Sequence, residues 1–418
     1  MSPILTGNTW EKQFSEGNRT KKVKKILITS DLYLPSVNGV VTSITNLVGE
    51  LRKRNYDVRI LATSNDTHYH YDEAEQVYYM QSIPFNIYPG VRMPLNYVRH
   101  EYLEELTEWK PDIIHSQCEF FSFEYAKKIA KRTNAPIIHT YHTLYGQYAS
   151  YLPFSSVMTN TEKMIGMVSQ MRLNDVNTVI APTKKVKDAL LAYGLKNRIV
   201  VIPTGIAMEK FRVSVSEEII AALRLQYGIT PEDKVLLSLG RIGKEKNIEE
   251  LIRYYAALSD QRDDVKFMIV GGGPDSQRLI EIAESYKLKN KVVFTGMVKP
   301  ELVRQYYALA DIFVCASTSE TQGLTYVEAL ACGVPLVCRA DAALDSVLIQ
   351  GTNGFCYHNS TEFCSYISRI LDDPMLSAAM RKENLIRSNQ FSKEQFAENI
   401  LELYDAVFEE GSPPPPIL

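Results

Sequence analysis

The sequence predicts an α/β protein of two doubly wound, Rossmann-like domains facing a central cleft. A chain of 418 residues exceeds what one core ordinarily organises, so two domains of roughly 200 residues each are expected. Short runs of Ile and Val, continuous rather than alternating, recur between segments of helical period, as parallel strands covered on both faces require. The series then begins again near the middle of the chain.

The first strand is "KILITS" (25–30), and its turn "DLYLPSVNGV" leads into "VVTSITNLVGELRKR", apolar at Val41, Ile44, Leu47, Val48 and Leu51 with the spacing of one helix face. "YDVRILAT", "DIIHSQ", "PIIHTYHT", "TVIAPT" and "RIVVIP" follow as strands, separated by helical segments such as "FEYAKKIAKRTN". After a boundary near "PTGIAMEKF" (203–211) come "KVLLSLGR", "VKFMIVGGGP", "KVVFTGMV", "DIFVCAST" and "VPLVCR". The units are expected over 24–205 and 206–390, followed by the amphipathic segment "SKEQFAENILELYDAVFEE". Residues 1–23 and "GSPPPPIL" read as tails. Ligands of such sheets bind beyond the carboxyl ends of the strands, which puts the expected site between the units.

Composition excludes several classes. Hydrophobic residues make up 45% and charged residues 23%, which suits neither disorder nor a fibrous or disulfide-built scaffold. The net charge of −3 divides unevenly, with 24 Lys/Arg against 19 Asp/Glu in residues 1–200 and 22 against 30 beyond. The more basic first half suits an anionic membrane face. The six cysteines form no C-x-x-C pair, so buried reduced thiols are expected, with neither zinc nor disulfides. No apolar stretch of spanning or signal type is present, so membrane contact would be peripheral.

Three motifs carry chemistry. In "SLGRIGKEKNIEELI", Arg241 and Lys246 flank a turn between a strand and a helix, where fixed cations and free amides both favour a diphosphate. Glu320 and Glu328 fall eight positions apart in "ETQGLTYVEA", one before a helix and one on it, as acceptors suited to a sugar hydroxyl and a ribose diol. "IVGGGPDSQRL" lacks dinucleotide-fingerprint spacing, and its glycines read as a turn that packs strand and helix closely.

The order "NGV", "HTYHT", "GR-x4-K" and "E-x7-E" resembles the GT-B retaining glycosyltransferases of family 4 over about residues 24–408. The resemblance implies that Gly39 and Val40 approach the donor diphosphate, that Arg241 and Lys246 neutralise it, and that Met297 and Val298 lie against the base. It implies that Glu320 holds the donor sugar with the amides of Gln322, Gly323 and Leu324, and that Glu328 takes the ribose. His142 would lie beside the reacting sugar, and His139 would be structural. A hydrolytic carboxylate pair is not implied, nor is a required metal or other cofactor, although Mg remains compatible. The C-terminal helix would return toward the first domain.

Within that family "DLYLPSVNGVVTSI", "YHTLYGQYASYL" and "RADAALDSVL" resemble bacterial diacylglycerol glucosyltransferases, with Tyr141, Tyr145 and Tyr148 at the acceptor. This implies transfer of a hexose from a UDP-sugar, UDP-glucose by preference, to a lipid hydroxyl on the cytoplasmic face of an anionic membrane, with no nucleic-acid partner. Two stretches, "YYMQSIPFNIYPGVRMPLNYV" (78–98) and "LPFSSVMTNTEKMIGMVSQM" (152–171), put flexible apolar residues near Arg92, Arg99, Lys163 and Arg172, as an acyl-chain entrance would. A soluble or glycan acceptor, a sugar-nucleotide epimerase and a non-catalytic GT-B subunit are the competing readings.

Overall fold

The computed structural model describes residues 23–36, 38–64, 70–84, 92–94, 100–144 and 161–410. Among these residues the first domain is built on β1 (Lys25–Ser30), β2 (Asp57–Thr63), β3 (His70–Asp72) and β4 (Val77–Met80). A detached antiparallel pair, β5 (Ser82–Pro84) and β6 (Arg92–Pro94), precedes β7 (Ile113–Ser116), β8 (Ile137–Thr140), β9 (Thr178–Ala181) and β10 (Arg198–Val201). The sheet order is β10-β9-β8-β7-β1-β2-β4-β3, parallel throughout except for β3 against β4. Ile26, Leu27 and Ile28 are all wholly buried, because helices cover both faces of the sheet and leave no polar side for alternation to serve.

The second sheet comprises β11 (Lys234–Leu239), β12 (Val265–Val270), β13 (Val292–Gly296), β14 (Ile312–Cys315), β15 (Leu336–Arg339) and β16 (Gly354–Tyr357). Its order is β13-β12-β11-β14-β15-β16, all parallel. In both sheets the first strand lies inside, flanked by β2 and β7 in one and by β12 and β14 in the other, so the direction of winding reverses beside it. Crevices for ligands open at such reversals.

The helix Lys393–Glu410 belongs to the core of the first domain although it follows the second domain in sequence. Phe396, Ala397, Ile400, Leu403 and Tyr404 pack with Ile26, Ile44 and Leu47, and the Tyr404 hydroxyl meets Nδ1 of buried His115 at 2.6 Å. Where the chain returns, the Ile206 N–H donates to Phe391 O at 2.8 Å and the Lys393 N–H to Ile206 O at 3.0 Å. Two stretches of backbone thus run side by side between the domains.

The glycines of "IVGGGP" bring two loops together, rather than the strand and helix that the sequence suggested they pack. A Cβ on Gly273 would stand 2.1 Å from Ile242 O, and one on Gly271, at φ +130°, would stand 1.9 Å from Gly240 O. The loop after β12 therefore braces the loop that carries Arg241. Gly273→Ala is expected to cost about 2–3 kcal/mol by overpacking, lowering Tm by several degrees and weakening nucleotide binding. An unshifted melting curve would show that the two loops part freely.

Expectation and structure differ at residues 78–80. Tyr78 and Met80 are wholly buried on β4, so the beginning of the 78–98 stretch is core strand and no acyl-chain entrance. Their tyrosine and methionine content disguised a strand that pairs with β2. Arg92 donates to the Ser82 hydroxyl and carbonyl within the small pair, while Arg99 lies outside the described residues.

Candidate functional site

The crevice of the second sheet opens between β11 and β14. Beyond β11 the chain passes through Gly240, at φ +143°, and Arg241 into a short 3-10 turn, Lys244–Lys246. Beyond β14 it runs through Ser317–Gly323 into the helix Leu324–Ala331. Gly240, Arg241, Lys246, Cys315, Glu320 and Thr325 line one depression. Ser317 and Ser319 tie the two loops by donating to Glu245 O at 3.4 and 3.1 Å. Gly323 is the N-cap at φ +73° and supplies no side-chain cap; the Tyr326 N–H donates to Gly323 O at 3.0 Å, and Thr325 of the first turn lines the depression.

Two residues expected in separate roles are bonded to each other. Lys246 Nζ lies 2.5 Å from Glu320 Oε1, with side-chain exposures of 28% and 13%. Burial pushes the Glu320 carboxyl up, but Lys246 outweighs it and holds the group below its ordinary range, ionised at neutral pH. Arg241 is more open and pairs through Nη2 with the buried Glu245 at 2.8 Å. The site thus holds cations already balanced by carboxylates, and an arriving diphosphate would share them.

Glu328 sits one helical turn deeper, where Tyr307 Oη donates to its Oε2 at 2.9 Å. Burial raises its pKa to about 7, and the Tyr307 bond acts the other way. Because the folded-state value lies above the unfolded one, the folded chain holds this proton more tightly between those values, and the contribution to stability falls as pH rises toward 7. A ribose diol hydrogen-bonds best to the ionised form. Affinity for UDP is therefore expected to rise about tenfold from pH 6 to pH 8, and Glu328→Gln to flatten that dependence. A profile unaltered by Glu328→Gln in calorimetric titration would separate the residue from the ribose.

The other expected donor residues are spread over both domains, outside the residues that line this depression. Gly39 opens the helix Gly39–Lys53, capped by Asn38, and a Cβ there would stand 3.6 Å from Leu324 Cδ1 of the opposite domain. Val40 packs at the edge of the first core. Met297, after β13, is 82% exposed, and Val298 packs against the second core. The Gln322 side chain turns away to bracket Thr204, accepting from its N–H at 2.7 Å and donating to its carbonyl at 2.9 Å.

In the first domain, His142 follows β8 with Nε2 2.7 Å from Gln117 Oε1. Burial brings its pKa down to about 4, so the ring is neutral at pH 7. His139 is wholly buried against Glu119 at 3.2 Å, in the structural role expected for it. Tyr141 requires a correction. It is wholly buried, with Oη 3.2 Å from Ser169 Oγ, because the residue after β8 points into the core rather than the cleft, and its side chain cannot reach an acceptor there. Tyr145 and Tyr148 lie outside the described residues.

Several participants carry no signal in the sequence. Lys185 Nζ reaches Asp341 at 2.8 Å and Thr318 O at 2.6 Å across the domains, and the Thr183 hydroxyl donates to Thr321 O at 2.6 Å, both beside Glu320. Asp31, wholly buried after β1, accepts from the Ser122 N–H at 2.7 Å, and its pKa is raised to about 7 by burial. These are single residues far apart in the chain, with nothing in spacing to mark them.

Both sheets are doubly wound, and a depression lined by Arg241, Lys246 and Glu320 opens at the carboxyl ends of the second. Residues 37–210 match the family described as Glycosyltransferase Family 4, and residues 220–387 the one described as Glycosyl transferases group 1. The alpha-monoglucosyldiacylglycerol synthase of Streptococcus pneumoniae is 34% identical over 92% of this chain and 86% of that protein. The enzyme of the same name from Acholeplasma laidlawii is 30% identical over 91% of this chain and 96% of that one. In fold, HepE of Anabaena, solved with UDP and glucose, superposes with a TM-score of 0.72 at 19% identity, covering 92% of this chain and 100% of that one. Sucrose-phosphate synthase from Thermosynechococcus elongatus does so at 0.72 and 21%, over 93% and 100%. The chain is a family 4 glycosyltransferase, homologous to the monoglucosyldiacylglycerol synthases.

Proposed function

We propose that this enzyme transfers glucose from UDP-glucose to the free hydroxyl of 1,2-diacylglycerol with retention of anomeric configuration. The observation that carries the donor half is the Lys246–Glu320 pair at the crevice of the second sheet, beside Arg241 and a helix N-terminus. Lys246 and Arg241 would stabilise charge developing on the leaving diphosphate, an effect that fixed charges supply without reorganisation. Glu320 would hold donor-sugar hydroxyls, Glu328 the ribose, and His142 a hydroxyl of the reacting sugar. The acceptor oxygen bonds to the anomeric carbon as the bond to UDP breaks, and the acceptor proton passes to the departing phosphate. The reaction is taken to need no metal cofactor, and added chelator should leave the rate unchanged.

The acceptor half rests on similarity to the two synthases and on one surface. Along the helix Thr161–Leu173, Met164, Met167, Val168 and Met171 are 43%, 62%, 53% and 69% exposed, an apolar stripe at i, i+3, i+4, i+7 spacing. Flexible apolar side chains of this kind suit the acyl boundary of a bilayer. No helix among the described residues is long and apolar enough to cross a membrane.

The test is release of UDP from UDP-glucose with and without dioleoylglycerol in anionic mixed micelles, with the lipid product weighed by mass spectrometry. Stimulation and a lipid gaining one hexose are expected. Binding of UDP-glucose without lipid stimulation would move the reading to a soluble or glycan acceptor. The paired substitution Met167→Glu and Met171→Glu is expected to reduce sedimentation with anionic vesicles at least tenfold while leaving UDP-glucose binding intact. Undiminished sedimentation would remove this helix from the membrane face.

A further inference from the structure

Polar side chains gather at the carboxyl ends of β7 and β8, Gln117 and His142 among them. Gln117, directly after β7, is 2% exposed, and its backbone N–H donates to Thr29 O at 2.8 Å, which anchors it to the sheet. Its Oε1 lies 2.7 Å from Nε2 of His142, while its own Nε2 is buried with no partner among the described residues. His142 is half-buried and makes no other hydrogen bond among the described residues. One end of the amide is left unsatisfied while the other engages the imidazole.

We propose that Gln117 is a positioning residue for sugar transfer: its carbonyl accepts a hydrogen bond from the Nε2–H of His142 and fixes the ring as the tautomer with a bare Nδ1. A carbonyl oxygen has no proton to give, so contact with it settles which ring nitrogen is protonated. The imidazole then meets a sugar hydroxyl as a neutral hydrogen-bond acceptor. The surroundings agree with a neutral ring: burial has the largest influence and His139 acts with it, against the opposing charge of Glu119. Glu119 is bonded to Nε2 of His139, and His115, the third ring of the group, lies between Tyr404 and Thr140, uncharged by burial. The inference rests on the reading of His142 as a neighbour of the reacting sugar.

The test is the pH profile of kcat/KM for the full-length Gln117→Glu variant. A carboxylate in the same place favours the charged ring, so the pKa of His142 rises and the acid limb of the profile should move up by about one to two pH units, with activity recovered above it. Gln117→Met removes the acceptor at similar length, and should lose rate without moving the limb. A Gln117→Glu profile lowered equally at every pH, or unchanged, would overturn the proposal.

Should Gln117→Glu not fold, nitrogen-15 spectra of histidine-labelled unsubstituted protein decide the matter, with His142 assigned by its loss in His142→Gln. A proton on Nε2 and none on Nδ1 is expected, and the reverse overturns the proposal. Full turnover by His142→Gln would instead dismiss His142 from the reaction while leaving the tautomer result standing, so the two failures are distinguishable.

Discussion

Lys246→Ala should lower kcat/KM for UDP-glucose by about a hundred- to a thousandfold, the range found when one fixed group stabilising transition-state charge is removed. Lys246 is the better enclosed of the two cations, at 28% exposure against 45% for Arg241, so water screens it less and its loss should cost more than that of Arg241. There is a second consequence. Without Lys246 the burial of Glu320 is opposed more weakly, by the Ser317 hydroxyl and Lys185, and its pKa should rise. The variant should bind UDP itself more weakly, because the proposed donor site would have lost a cation. Wild-type turnover together with wild-type UDP affinity would separate Lys246 from the donor.

Glu320→Gln should depress turnover to a similar degree by a different route. The amide keeps the shape and can still accept from Lys246, so the chain should fold and melt normally, while the charged acceptor for sugar hydroxyls is gone. Affinity for UDP-glucose should fall and affinity for UDP should change little, the opposite balance from Lys246→Ala. Because the two side chains are bonded at 2.5 Å, the double variant should lose less than the two single losses combined. Equal weakening of UDP and UDP-glucose by Glu320→Gln would contradict a sugar-holding role.

Both residues were legible in the chain because the topology makes them so: each follows a continuous apolar strand and precedes a helix, the place where parallel sheets meet ligands. Their mutual bond was not legible, since 74 residues separate them and only the adjacency of β11 and β14 brings the loops together. Tyr141 shows the reverse case. Its place in a motif suggested the acceptor, but side-chain direction at the end of β8 is set by packing, and it enters the core. The strand β4 was missed because "VYYM" and its neighbours present aromatic and sulfur side chains without the Ile/Val run, and its pairing with β2 alone reveals it.

By itself the sequence determined the repeated strand and helix order, the parallel character of both sheets, the loops bearing Arg241, Lys246 and Glu320 and the helix bearing Glu328, because these follow from local periodicity and from where apolar runs stop. Only the tertiary structure decided which charges neutralise one another, which histidine nitrogen meets Gln117, and that Lys185 reaches Asp341 across the domains. The reason is physical: strand identity is set within a few residues, whereas a pKa or an ion pair depends on distances of a few ångströms between groups far apart along the chain.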